Sequence, residues 1–121
     1  MAKGVLSDKS FSFSVRVVKL AQFLVADKKE FILSKQIIRS GTSIGAMIRE
    51  SEFTESKVDF IHKLSIALKE ANETKYWLDL LFETSYIEEN LYNSLLIDIE
   101  ELLKLLISII KTTKQNLTKK K

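Results

Sequence analysis

The amino-acid sequence predicts an all-α protein, an antiparallel up-down four-helix bundle. Three observations lead there. The 121 residues include no proline and only three glycines, too little turn punctuation for a sheet protein of this size. Apolar residues recur at spacings of three and four along four separate segments. The breaks between those segments are short, and short connections make successive helices antiparallel neighbours. The chain is long enough for one compact core. Its 45% hydrophobic and 29% charged residues fit a folded domain rather than a disordered or fibrous one. One domain spanning 1–121 is therefore expected.

The first helix is expected over about residues 10–26. Stepping about 100° per residue places Phe13, Val17, Leu20, Ala21 and Leu24 on one face. The charged run Asp27-Lys28-Lys29-Glu30 ends the pattern. A second helix follows over about 33–52, with Leu33, Ile37, Ile44 and Ile48 on its apolar side. The third is the longest, about 54–84, with a core stripe of Ile61, Leu64, Leu68, Ala71, Leu78 and Phe82. At 1.5 Å per residue it spans roughly 45 Å. The link Ser85-Tyr86-Ile87 turns the chain back into a fourth helix over about 88–115, where Leu95, Ile99, Leu102, Leu103, Leu106 and Ile110 face the core. The lysines at 119–121 read as a frayed tail. A single long coiled coil is the competing architecture. The stripes are broad and the pattern breaks near residues 28 and 86, which favours the bundle.

Several function classes fall away on composition. The chain has no cysteine, which removes disulfides and thiolate metal sites and fits a reducing compartment. Residues 1–6 hold no apolar run for a signal peptide. The most apolar window, Leu91 to Ile110, is interrupted by Asp98, Glu100, Glu101 and Lys104, each costly at a bilayer centre, so no membrane span is expected. A cytoplasmic location follows. His62 is the only histidine. With Asp59 three residues before it, it makes a single acidic-x-x-His pair lying off the core stripe, whereas bundle di-metal sites need two such pairs facing inward. One histidine and no cysteine give no partnered nucleophile. The expectation is no enzyme, no cofactor and no metal.

Two features depart from a plain bundle. Gly41 and Gly45 sit four apart inside the second helical pattern, each costing roughly 1 kcal/mol relative to alanine. Close approach of another backbone, within the bundle or between subunits, accounts for that cost; a kinked or irregular helix start is the plainer alternative. On the third helix Ile66, Trp77 and Leu80 project roughly 130–170° away from the core stripe. A monomeric bundle would leave them wet, so a subunit contact is expected; a rotated helix, or lone exposed apolar groups, is the plainer alternative.

The formal charge of +3 is a mild bias, one that permits nucleic-acid binding without requiring it. Lys35, Arg39 and Arg49 fall within about 80° of one another on the second helix, and Arg16 and Lys19 lie on the polar side of the first. The first thirty residues carry six basic and three acidic groups, against four basic and six acidic over 53–84. Such an array can bind phosphates through counterion release without reading sequence. It is also what a solvated helix face looks like.

The segments Ser40-Gly-Thr-Ser-Ile-Gly-Ala and Lys57-Val-Asp-Phe-Ile-His-Lys-Leu-Ser-Ile-Ala-Leu-Lys-Glu-Ala-Asn-Glu-Thr-Lys-Tyr-Trp-Leu carry a family likeness that extends from about Phe11 to Thr113. The chain resembles the bacterial four-helix-bundle proteins of ribosomal-RNA intervening sequences, a family related to the accessory variability proteins of diversity-generating retroelements. The resemblance implies an up-down bundle, a homopentamer and no catalytic site. For the accessory proteins it implies binding to nucleic acid and to a reverse transcriptase. Met47, Arg49 and Glu88 depart from the family pattern, which favours asparagine, a small residue, and serine or aspartate at those places.

The expectation is thus a non-enzymatic, self-associating, homopentameric scaffold that binds RNA or DNA with weak sequence selectivity. Arg16, Lys19, Lys35, Arg39 and Arg49 are the phosphate candidates. Gly41, Gly45, Ile66, Trp77 and Leu80 are the candidates for subunit contact or close helix packing. The alternative is a protein-protein adaptor without nucleic-acid binding.

Overall fold

The computed structural model describes residues 2–119, with side chains from 4 to 118. Four helices account for almost all of them: α1 (Ala2–Ala26), α2 (Leu33–Ser51), α3 (Lys57–Glu83) and α4 (Glu89–Lys119). Each packs against its neighbours in sequence, α4 closes back on α1, and diagonal pairs stay apart. That is an antiparallel up-down square. The approach is most extensive along α2–α3 and sparsest along α1–α4.

The core runs down the centre of the square. It takes Leu6, Phe13, Val17, Leu20 and Leu24 from α1, and Ile37, Ile44 and Ile48 from α2. Leu64, Ala67, Ala71, Leu78 and Leu81 come from α3, and Leu95, Ile99, Leu102, Leu106 and Ile110 from α4. Serine and threonine also enter it. The Thr74 hydroxyl donates to Ser40 Oγ at 2.9 Å, joining α3 to α2, and both residues are fully buried. Among the described residues, no buried side-chain nitrogen or oxygen lacks a hydrogen-bond partner, as stability requires.

Helix boundaries differ from expectation at three places. α1 begins at Ala2 rather than near residue 10. The inward stripe continues through Leu6 and Ser10, each 1% exposed, and Ser10 satisfies its hydroxyl on Ser7 O at 3.0 Å. α3 starts at Lys57 rather than 54, because Ser56 is its N-cap and accepts the Asp59 N–H at 3.0 Å. Thr54 instead donates back to Ser51 O at 2.9 Å. α4 runs from Glu89 to Lys119, so Lys119 is helical rather than part of a frayed tail; Lys120 and Lys121 lie outside the described residues.

The α3 stripe is also rotated from the one expected. Ala67, Thr74 and Leu81 are buried, while Ile61, Leu68 and Phe82 are only half-buried. The Thr74–Ser40 hydrogen bond holds α3 close to α2, and the larger groups lie at the flanks. The same rotation draws Ile66, Trp77 and Leu80 into half-buried positions rather than leaving them wet. Trp77 packs against the core, donates its Nε1 to Glu73 at 3.0 Å and meets the Tyr76 ring edge-on, 5.0 Å between centroids.

The turns are held by local hydrogen bonds. Between α1 and α2, Lys29 adopts φ 55°, and the buried Glu30 side chain caps α2. Its oxygens accept the N–H groups of Ile32, Leu33 and Ser34 at 3.1, 3.0 and 2.8 Å. Burial pushes the carboxyl up, but these backbone donors and the Ser34 hydroxyl outweigh it, so its pKa lies below the ordinary 4.5. α3 ends in a Schellman turn. Ser85 takes φ 66°, and Tyr86 and Ser85 donate to Leu81 O and Phe82 O at 2.9 and 3.0 Å. Just beyond, the Tyr92 ring stacks on Phe82 at 4.3 Å, and its hydroxyl donates to Asp79 at 2.7 Å. That bond to a carboxylate, with burial, pushes the Tyr92 phenol up to about 12.

Candidate binding surfaces

The seam between α1 and α2 is tight at one point. A Cβ on Gly41 would lie 2.7 and 2.9 Å from the two γ-methyls of Val17, so only glycine fits without movement. At Gly45 the nearest atom would be Ser14 Oγ at 3.1 Å, a hydroxyl that can swing. Gly41 is buried, whereas Gly45 faces the outer side of the seam.

That outer side is open along its length. Near Gly45 lies a groove of about 430 Å³, with Ser10, Phe11, Ser14, Thr42, Ala46 and Arg49 among its walls. Toward the α1–α2 turn a second, apolar groove of about 510 Å³ is lined by Ala21, Val25, Ala26, Ser34, Lys35 and Ile38. Phe11 is 59% exposed and Val25 40%. The hydroxyls along the floor are turned inward: Ser14 donates to Ser10 O at 2.9 Å and Thr42 to Ile38 O at 2.6 Å. The seam therefore presents small and apolar groups, with no reactive set.

The five basic candidates divide in two. Arg16 is committed to α4, reaching Asp98 Oδ2 at 2.6 Å and Ser94 Oγ at 2.9 Å. Arg39 bridges to α3, pairing with Glu73 and with Glu70 at 3.4 Å. Lys19, Lys35 and Arg49 are exposed and have no carboxylate partner among the described residues. The Arg49 guanidinium stands over the Phe11 ring, 6.0 Å from its centroid. Lys35 and Arg49 flank opposite ends of the seam, while Lys19 borders the α1–α4 side with Phe23 and Leu91.

His62 and Asp59 are exposed, and no group of histidines and carboxylates among the described residues could hold a metal. No helix among them is long and apolar enough to cross a membrane. One basic feature escapes the analysis of single helical faces. After Glu101 the chain has six lysines and no acidic residue. A running charge count along the sequence is enough to find it.

Four helices, each antiparallel to its neighbours in sequence, define an all-α helical-bundle protein. Residues 5–108 match the model of the 23S rRNA-intervening sequence protein family, and the chain belongs to that family. Its fold is similar to a solved structure of a protein with unknown function from the S23 ribosomal protein family of Bacteroides thetaiotaomicron VPI-5482. The two are 60% identical, with 92% of this chain and 99% of the other covered and a TM-score of 0.90. No curated protein matches the chain.

Proposed function

We propose that the protein is a non-enzymatic scaffold that self-associates, as a homopentamer, and binds nucleic acid with weak sequence selectivity. The observation that carries this reading is the outer α1–α2 seam, an open, largely apolar surface whose two ends hold Lys35 and Arg49, cations with no carboxylate partner among the described residues. Apolar exposure of that kind marks protein contact. Repeating these cations around a ring concentrates positive potential, which attracts phosphate backbones without base readout. A nucleic-acid enzyme such as a reverse transcriptase is the further partner class the family resemblance implies.

Two measurements test the reading. Phe11→Glu with Val25→Glu changes only exposed groups, so helicity is retained while assembly mass drops; unchanged mass rejects the seam as the contact. A salt-titrated mobility shift with structured RNA and duplex DNA should show binding that falls steeply with salt. Absence of any shift at low salt rejects nucleic acid and leaves the second reading, an adaptor that uses the same apolar seam for a protein partner.

A further inference from the structure

We propose that the C-terminal half of α4 is a phosphate-contact stripe, in which Lys104, Lys111 and Lys114 seat a nucleic-acid strand along the helix axis. This rests on the nucleic-acid reading above and assigns it a surface separate from the α1–α2 seam.

Three observations carry it. Lys104 and Lys111 are seven residues apart, which brings them within about 20° on the helix, and Lys114 follows within about 80°. All three are exposed. Their acidic neighbours along α4 are already engaged: Glu100 by Lys75 at 3.5 Å and Glu101 by Lys9 at 3.1 Å. None of the three lysines has a carboxylate partner among the described residues.

Helix electrostatics do not account for the stripe. Cations at a helix C-terminus complement the macrodipole, but only within the last turn. α4 ends at Lys119, so Lys104 and Lys111 lie well upstream of it. A face kept merely soluble mixes both signs of charge, whereas from Lys104 onward every charged residue of α4 is a lysine.

The occupant follows from shape and chemistry. From Lys104 to Lys114 the stripe covers about 15 Å, the axial length of about four phosphates on one strand at 3.4 Å each. An anionic membrane would also attract lysines, but a membrane-bound amphipathic helix needs a free apolar face. The apolar face of α4 is spent inside the bundle, where Leu102, Leu106 and Ile110 are 1%, 0% and 8% exposed. Outside the core, Ile107, 53% exposed, and Leu68 line a groove of about 370 Å³ beside the lysines.

The test compares the wild-type chain with Lys104→Ala/Lys111→Ala/Lys114→Ala and with the matching triple arginine variant. The probes are a 30-base-pair duplex DNA and a mixed-sequence single-stranded RNA across a salt series. The alanine variant should keep its helical circular dichroism, lose at least tenfold in affinity at low salt, and show a duplex salt slope shallower by about 2 to 3, near one unit per phosphate contact. The arginine variant should retain affinity and slope. If the wild type binds and the alanine variant matches it, the stripe is overturned while the nucleic-acid reading stands. If the arginine variant loses binding as the alanine variant does, the electrostatic account is overturned. If the wild type shifts neither probe, the broader reading fails; binding instead to phosphatidylserine vesicles would assign the stripe to lipid and overturn the proposal.

Discussion

Gly41→Ala tests the α1–α2 seam most sharply, because two known effects oppose each other there. Alanine in a helix interior is favoured over glycine by about 1 kcal/mol. Against that, the new methyl would sit 2.7 Å from Val17 Cγ1, 2.9 Å from Cγ2 and 3.2 Å from Cβ. Ordinary carbon contacts are about 3.5–4.0 Å, so the overlap approaches an ångström. Val17 has little room to yield: it is 1% exposed, and a β-branched side chain in a helix is held to one rotamer. α1 must move outward, and overpacking of this kind costs about 1–3 kcal/mol. The net expectation is a loss of about 1 kcal/mol, or roughly 3–5 °C in thermal midpoint for a domain of this size. Gly45→Ala is the internal control. Its nearest neighbour is a single side-chain atom, Ser14 Oγ, at 3.1 Å, which needs to give by only a few tenths of an ångström, so the helix gain prevails and the midpoint stays level or rises. The assay is thermal and urea unfolding by circular dichroism at matched protein concentration, since assembly couples to stability. Val17→Ala placed on Gly41→Ala should cost less than the sum of the two single changes. If Gly41→Ala raises the midpoint as much as Gly45→Ala, the close approach of α1 and α2 is refuted.

Other outcomes follow from the turns. Ser85→Gly should stabilise by about 0.5–1 kcal/mol, because glycine takes the left-handed conformation of Ser85 without a Cβ penalty; a lower urea midpoint would contradict the Schellman assignment. Glu30→Gln should cost about 1–2 kcal/mol at neutral pH by weakening the three-donor cap. The Glu30 pKa is lowered on folding, so its stabilisation is present above 4.5 and is lost as pH falls through the depressed value. The gap between wild type and Glu30→Gln should therefore close in acid. Tyr92 behaves in the opposite sense. Its pKa is raised from 10.0 to about 12, so the Asp79 bond stabilises fully below 10 and is lost as pH climbs to about 12. Tyr92→Phe should cost about 1 kcal/mol at neutral pH and should flatten the alkaline limb of a stability-versus-pH curve.

The helices were legible because each carries a long stripe of leucine, isoleucine or valine at helical spacing, and that periodicity survives in the core of α2 and α4. The rotation of α3 was not legible. It depends on Ala67 and Thr74, which register weakly or not at all as apolar, yet are buried. The early start of α1 was not legible: of residues 4–9 only Leu6 is buried, and Gly4, Ser7 and Asp8 are weak helix formers. For the candidate surfaces, sequence exposes charge but not its partner. Arg16 and Arg39 look equivalent to Lys19 and Lys35 until Asp98, Glu70 and Glu73 are found opposite the two arginines. The lysine run after Glu101 is countable in the sequence. That Lys104, Lys111 and Lys114 have no carboxylate partner among the described residues emerges only once Lys75 and Lys9 are seen holding Glu100 and Glu101.

Copies of this bundle are expected to meet through surface the single chain leaves open. Sedimentation velocity across low to high micromolar concentration measures this directly. The expected result is a species of about five times the 13.9 kDa protomer, collapsing toward one protomer for the Phe11→Glu/Val25→Glu variant. A wild-type chain that sediments as a single 13.9 kDa protomer at the highest concentration would contradict the claim.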